Sequence, residues 1–149
     1  MLLFAFWLES KKKCDFCEIV EGNSSTKIAY QSDRSIVFKD KTPQNKIHYQ
    51  VAPKRHIQNL NGIDFNSYCD KATIMDIWET ARSFIKKQHP EIKNIDKDLK
   101  MAFHVPDHTS VDHLHMHILN ASNHSEKTKK ELKARLFQDV YDVVNKFKF

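Results

Sequence analysis

His113-Leu114-His115-Met116-His117-Ile118-Leu119 alternates imidazoles with apolar side chains. That is the period of a half-buried strand, with three histidines on one face and Leu114, Met116 and Ile118 on the other. Nine histidines occur among 149 residues, so some clustering is expected, and a single histidine is usually a surface or satisfied core residue. Three on one face need another explanation, either a metal site or a nucleophile with its supporting groups. Same-face neighbours on a strand stand roughly 7 Å apart. That is wide for three ligands of one small ion and favours divided roles.

Upstream, Phe103-His104-Val105-Pro106-Asp107-His108-Thr109-Ser110-Val111-Asp112 is polar and broken by Pro106. It reads as a loop that brings hydroxyl and imidazole groups to the start of the strand. Residues 28–31, 35–39 and 47–52 read as successive strands separated by turns at 22–25, 32–34 and 42–46, and 100–105 and 112–119 add two more. Phe65, Tyr68, Cys69, Ala72, Met75, Trp78, Ala81 and Ile85 recur at three and four. This predicts a long amphipathic helix, with Asp64 as cap and Pro90 closing it. Leu132, Leu136, Val140, Val143, Val144 and Phe147 predict a terminal helix with a basic outer face. Strands interrupted by one long helix, with little βαβ alternation, predict an α+β fold: an antiparallel sheet, one long central helix and a C-terminal helix.

A chain of this length suits one domain with a single core, and no Pro-, Gly- or Ser-rich linker divides it. The expected organisation is an apolar and basic extension over residues 1–13 and one domain over 14–149. The opening Met1-Leu2-Leu3-Phe4-Ala5-Phe6-Trp7-Leu8 is far shorter than the roughly 20 residues that span a bilayer, and its lysines follow it where a secretory signal has them in front. The expectation is therefore no transmembrane segment and a cytoplasmic or nuclear location. The net charge of +5 permits contact with nucleic acid, but the lysines are spread, and their local runs read as solvated helix faces. Three cysteines make no disulfide framework, and Cys14-x-x-Cys17 suits a reducing compartment.

The His-x-His-x-His run resembles the motif of the histidine-triad family of nucleotide hydrolases and transferases. The resemblance extends upstream: Cys14-Asp15-Phe16-Cys17-Glu18-Ile19-Val20-Glu21-Gly22 is similar to that family's opening segment, and Ile36-Val37-Phe38-Lys39-Asp40-Lys41-Thr42-Pro43-Gln44 to its nucleoside-binding strand and turn. His48-Tyr49-Gln50-Val51-Ala52-Pro53-Lys54-Arg55-His56-Ile57 is similar to the segment that follows. Together these cover residues 14–119.

The resemblance implies that His115 is the nucleophile, attacking the α-phosphorus of a nucleotide while its second ring nitrogen donates to the main chain of His113. It implies that His117 bonds a non-bridging phosphate oxygen, that Ser110 helps protonate the leaving group, and that His48 lies beside the phosphate or the nucleophile. Asp40 is implied for the ribose hydroxyls, with a turn cap as the lesser alternative. Phe38, Ile19 and Ile28 are implied as apolar walls, with core packing an equal account of Phe38. Catalysis in that family needs no metal. Cys14, Cys17, His56 and His113 match positions that hold structural zinc in some branches, while other branches keep part of the set and bind none. The family usually pairs as a homodimer through its helix and an edge strand, for which Phe84, Trp78 and Met75 are candidates; core packing explains them equally.

Many members carry a Gly-rich loop with an asparagine at the phosphate, where this chain has Phe103-His104-Val105-Pro106. That variant resembles the third vertebrate branch of HINT-type adenosine 5′-monophosphoramidases and the aprataxin-type DNA deadenylases, and it places His104 at the phosphate. Asp112 ahead of the triad is a further departure, whose negative charge would raise a neighbouring imidazole's pKa. The expected function is hydrolysis of the P–N bond of adenosine 5′-phosphoramidates, releasing AMP through an AMP-histidine intermediate. Alternatives are removal of 5′-AMP from DNA ends, disfavoured because no cysteine follows Cys69 to build a zinc finger, and a nucleotide-binding adaptor with incidental hydrolysis. Dinucleoside polyphosphate hydrolysis is disfavoured because the glutamine associated with it after the triad is missing.

Overall fold

The computed structural model describes residues 13–149, so the apolar stretch at residues 1–12 lies outside it. Six strands form one antiparallel sheet: β1 (Ile28–Gln31), β2 (Ser35–Lys39), β3 (His48–Pro53), β4 (Leu99–His104), β5 (Met116–Asn120) and β6 (Phe137–Asp139). Their order across the sheet is β1-β2-β3-β5-β4-β6. Besides the 21-residue α2 (Tyr68–Gln88), the chain forms four short helices, α1 (Asp15–Glu21), α3 (Ile95–Asp98), α4 (Glu126–Lys133) and α5 (Val140–Val144). The expected α+β architecture is present, and among the described residues no helix is long and apolar enough to cross a membrane.

Alternation along the strands divides the molecule into two layers. Val37, Val51, Met101, Phe103, Met116 and Ile118 point to the larger core, where they meet Ile74, Ile77, Ala81, Phe84 and Ile85 of α2. Ile36, Phe38 and Ala52 point the other way and pack with Phe16 and Ile19 of α1. Each fully buried Ile or Phe contributes roughly 1.5–3 kcal/mol, so α2 is held mainly by this stripe. Asp76 adds a polar tie, accepting the hydroxyls of Ser32 at 3.1 Å and Ser35 at 2.6 Å at the start of β2.

The buried stripe of α2 lies one step round from the expected one. Tyr68 is 73% exposed and Cys69 is also exposed, while Ile74, Ile77 and Phe84 are fully buried. Asp64 is not the cap: Ser67 accepts the Asp70 N–H, and Asp64 instead accepts from Asn66 in a preceding turn. A Ser N-cap satisfies one of the orphan donors of the first turn. The last helical residue is Gln88, two before Pro90.

Two further elements depart from the sequence reading. His113, Leu114 and His115 precede β5 in an irregular segment, anchored where the Leu114 N–H meets the Ile57 carbonyl at 2.6 Å. The terminal apolar series is three elements, not one helix. Arg135 adopts φ 57°, which ends α4, and the chain turns onto the edge of β4 as β6 before entering α5. The three-and-four spacing survives because Val140, Val143 and Phe147 reach the same core.

Candidate active site

On the face covered by α1, strand register sets Phe38, Gln50, His117 and Ala102 side by side across β2, β3, β5 and β4. A cavity of about 420 Å³ opens above this row. Its walls include Phe16 and Ile19 from α1, Phe38 and Asp40, Gln44, His48, Gln50, His104, Ser110 and His117, with Lys127, Thr128 and Glu131 from α4 and Phe137 from β6. Ile28 packs with the small apolar cluster and is not among the walls.

His115 is 4% exposed, and its Nδ1 lies 2.6 Å from the His113 carbonyl oxygen. A carbonyl only accepts, so Nδ1 carries the proton and Nε2 keeps a free lone pair. Burial holds the His115 pKa down at about 4, against the smaller upward effect of the His113 carbonyl. The ring stands 5.0 Å from that of His117 and 5.0 Å edge-on from Phe16.

His117 is oriented through His48. The Gln44 N–H donates to His48 Nδ1 at 3.0 Å. The neutral His48 ring therefore carries its proton on Nε2, which lies 3.1 Å from His117 Nδ1 and 3.2 Å from the Asp40 carboxylate. With Nδ1 accepting, His117 keeps its own proton on Nε2, a buried atom without a protein partner among the described residues. Burial disfavours the charged form of both rings, holding His117 well below the ordinary imidazole range and lowering His48 against the upward pull of Asp40. Asp40 also accepts the Thr42 N–H at 2.8 Å and the Gln50 amide at 2.5 Å, so it caps the turn and lines the cavity at once.

His104 stacks on Phe137 at 4.4 Å, meets His117 edge-on at 4.6 Å, and places Nε2 3.8 Å from the Glu131 carboxylate. Burial first, then the Lys127 charge, brings its pKa to about 4. Ser110 is exposed on the loop ahead of the triad and lines the same cavity. Asp112 is exposed too.

The first triad histidine faces elsewhere. His113 Nε2 donates to the Pro53 carbonyl at 2.7 Å, leaving the Nδ1 lone pair 3.3 Å from Cys14 Sγ, 3.5 Å from Cys17 Sγ and 3.2 Å from His56 Nδ1. Cys17 Sγ is 3.4 Å from His56 Nδ1, and all four donor atoms lie within 4.8 Å of one another. Ligands at zinc–sulfur and zinc–nitrogen bond lengths stand about 3.3–3.8 Å apart on a tetrahedron, so this donor set fits zinc. Burial and the neighbouring Cys14 raise the Cys17 thiol to about 11.

The sequence-predicted residues thus assemble in two groups, one around the cavity and one between α1 and the triad. Sequence reading missed Lys127, Thr128, Glu131 and Phe137, which lie beyond the motif and reach the cavity only because the chain folds back after Asn123. It also missed Gln50, although its place two residues after His48 on one strand puts both on the same face.

The chain matches the family described as "Scavenger mRNA decapping enzyme C-term binding" over residues 13–133. The bifunctional adenosine 5′-phosphosulfate phosphorylase/adenylylsulfatase HINT4 of Arabidopsis thaliana is 31% identical over 104 residues, 70% of this chain and 67% of that one. The adenosine 5′-monophosphoramidase HINT3 of Danio rerio is 32% identical over 110 residues, 72% of this chain and 64% of that one. The chain therefore spans about two thirds of the length of these curated relatives. Among solved structures, a HIT family hydrolase from Clostridium thermocellum shares the fold with a TM-score of 0.63 at 24% identity, over 76% of this chain and 95% of that one. A protein titled "Hit Like Protein" has a TM-score of 0.61 at 27% identity over 74% and 100%. Matched over residues 13–133 and built on the same sheet and His-x-His-x-His segment, the chain belongs to that family, within the histidine-triad superfamily.

Proposed function

We propose that this chain hydrolyses the P–N bond of adenosine 5′-phosphoramidates through a covalent AMP–His115 intermediate. The observation that carries this reading is the buried His115 ring, locked by the His113 carbonyl so that its Nε2 lone pair is free, in a ring 5.0 Å from that of His117 on the cavity wall. Nε2 attacks the α-phosphorus, an N–P bond forms, and the P–N bond to the leaving group breaks as that nitrogen takes the proton of the exposed Ser110 hydroxyl, which regains one from solvent. The imidazolium character that develops on His115 is stabilised by its Nδ1–H bond to the carbonyl. The orphan His117 Nε2–H is a donor for a non-bridging phosphate oxygen, where charge builds in the transition state. Water then attacks the same phosphorus, releases AMP and restores Nε2. Protonation makes an amine a good leaving group, which is why acid assistance matters for a P–N bond.

Cys14, Cys17, His56 and His113 would hold a structural zinc. When bound, such an ion supplies a crosslink between α1 and the segment ahead of β5 and takes no part in the reaction. His113 then serves as a ligand, and its carbonyl alone faces His115.

Lys127 favours a second reading. Its place on the cavity wall beside His104, Ser110 and Glu131 suits an anionic leaving group such as sulfate. The relative named for adenosine 5′-phosphosulfate makes that compound the natural comparison substrate.

The test is turnover of a fluorogenic adenosine phosphoramidate by the pure protein, beside adenosine 5′-phosphosulfate and an adenylated nicked DNA. His115→Ala should lower the rate by roughly three to six orders of magnitude. Preference for the phosphosulfate moves the leaving group to an acid anhydride, preference for the DNA moves the substrate to a nucleic-acid end, and turnover of none overturns the enzymatic reading.

A further inference from the structure

Two residues that line this cavity each carry a buried polar atom with no protein partner among the described residues, and the two atoms are of opposite character: the His117 Nε2–H donor and the Gln50 Oε1 acceptor. The donor belongs to the phosphate chemistry above. Burying an unpaired amide carbonyl is unfavourable, so a site built with one is suited to a donor that pairs it.

The orientation of Gln50 is not free. Its Nε2 donates to Asp40 Oδ2 at 2.5 Å, and a carboxylate only accepts, so Oε1 is the end left over. Asp40 is itself largely engaged, by the Thr42 N–H on Oδ1 and by the Gln50 amide on Oδ2, with His48 Nε2 also 3.2 Å from Oδ2. The acceptor still unused in this corner is therefore the Gln50 carbonyl.

Register says which part of a nucleotide comes near it. Gln50 of β3 stands directly between Phe38 of β2 and His117 of β5. His104 of β4 lies on the opposite side of His117, with Ser110 on the loop that follows β4. A phosphate held by His117 thus has its leaving group towards His104 and its nucleoside towards Gln50, with the base continuing to Phe38 and Ile19. The first group on the nucleoside side of a 5′-phosphate is the sugar, and its hydroxyls are donors.

We propose that Gln50 is a sugar-recognition residue, its side-chain carbonyl accepting a hydrogen bond from a ribose hydroxyl of the bound nucleotide. This rests on the nucleotide-binding part of the function proposed above and not on the hydrolysis. It makes the site selective for ribonucleotides at a position that is neither part of the histidine run nor of the turn around Asp40. A site built to pair a hydroxyl discriminates against the analogue that lacks it, because its own polar atom is then left bare.

The test is equilibrium binding of AMP, 2′-deoxy-AMP and 3′-deoxy-AMP by titration calorimetry to the full chain and to Gln50→Leu and Gln50→Lys. The lysine keeps a donor on Asp40 while removing the acceptor, which separates the proposed role from a disturbance of Asp40. The intact protein should bind AMP about tenfold more tightly than one of the two deoxy nucleotides. Both variants should bring that ratio within about twofold of one, by weakening AMP and leaving the deoxy nucleotide nearly unchanged. No discrimination by the intact protein, or discrimination that survives in Gln50→Lys, overturns the proposal. So does a loss in Gln50→Leu and Gln50→Lys that falls equally on AMP and on both deoxy nucleotides. Discrimination without any turnover of phosphoramidate keeps this proposal and removes the hydrolase reading, whereas failure of AMP to bind at all removes both.

Discussion

His48 Nε2 lies 3.1 Å from His117 Nδ1, and this bond determines which nitrogen of His117 faces the cavity. The proton is committed from outside the pair, because the Gln44 backbone N–H occupies His48 Nδ1. The result is a donor at His117 Nε2, the form that suits a phosphate oxygen. Replacing His48 by Ala frees His117 Nδ1 to take the proton, which presents a lone pair to the phosphate instead. We expect kcat/KM to fall by roughly 10–10³-fold, with the His117 tautomer change visible in nitrogen-15 NMR. An unchanged tautomer would show that His48 does not set it.

The Cys14, Cys17, His56 and His113 set should carry about one zinc per chain in the purified protein, measured by elemental analysis. His56 is exposed and only ligates in this scheme, so His56→Ala removes the metal without opening a core cavity. Its melting temperature should drop by several degrees, and the loss should match that of the intact protein treated with chelator. A wild-type protein free of zinc and indifferent to chelator would count against the crosslink.

Stability should decline on the acid side of neutrality. His104 sits at about 4 and His48 is also lowered, in each case first by burial. The neighbours from adjoining elements are Lys127 and Glu131 of α4, Asp40 after β2 and His108 after β4. A folded pKa below the unfolded one means that the unfolded chain binds more protons, so stability is greatest above about pH 6.5 and is lost as pH falls towards 4. Melting temperatures from pH 7.5 to 4.5 check this. His104→Phe should flatten part of the slope, and an identical slope in the variant would assign it to other groups.

Strand β6 occupies the outer edge of β4 through pairs Ala102–Asp139, Phe103–Gln138 and His104–Phe137. A second copy cannot add its strand where the chain's own backbone already uses the hydrogen-bonding groups. Phe84, one candidate for a dimer face, is fully buried in the core. Pairing through β4 is thereby blocked, and Phe137 reaches the cavity from the same chain. We expect a monomer of about 17.6 kDa by light scattering, where a stable dimer would require another surface.

The strands from β1 to β3 were legible because apolar alternation and turn residues coincide there, and their bounds differ from the structure by a residue at most. The long helix was legible as a helix but not in its buried face. Tyr68, Cys69 and Ala72 fit the period as well as Ile74, Ile77 and Phe84 do, and only the sheet beneath α2 chooses between the two stripes. The C-terminal series was read as one helix since spacing alone does not reveal that Arg135 turns left-handed.

The histidine run, the two cysteines and the residues from Asp40 to His56 determined, as sequence, which chemical groups gather here, because side-chain identity and local period are carried by the chain itself. Tertiary structure decided how those groups are divided. Three histidines spaced two apart are equivalent on paper; the Pro53 and His113 carbonyls and the His48 ring, distant or main-chain partners, fix the tautomer of each, with the proton on Nε2 in His113 and His117 and on Nδ1 in His115. Only the fold of residues 120–139 brings Lys127, Glu131 and Phe137 to the cavity, and only strand register sets the Gln50 carbonyl between Phe38 and His117. Contacts across tens of residues depend on how the sheet closes, and no local pattern in the chain encodes them.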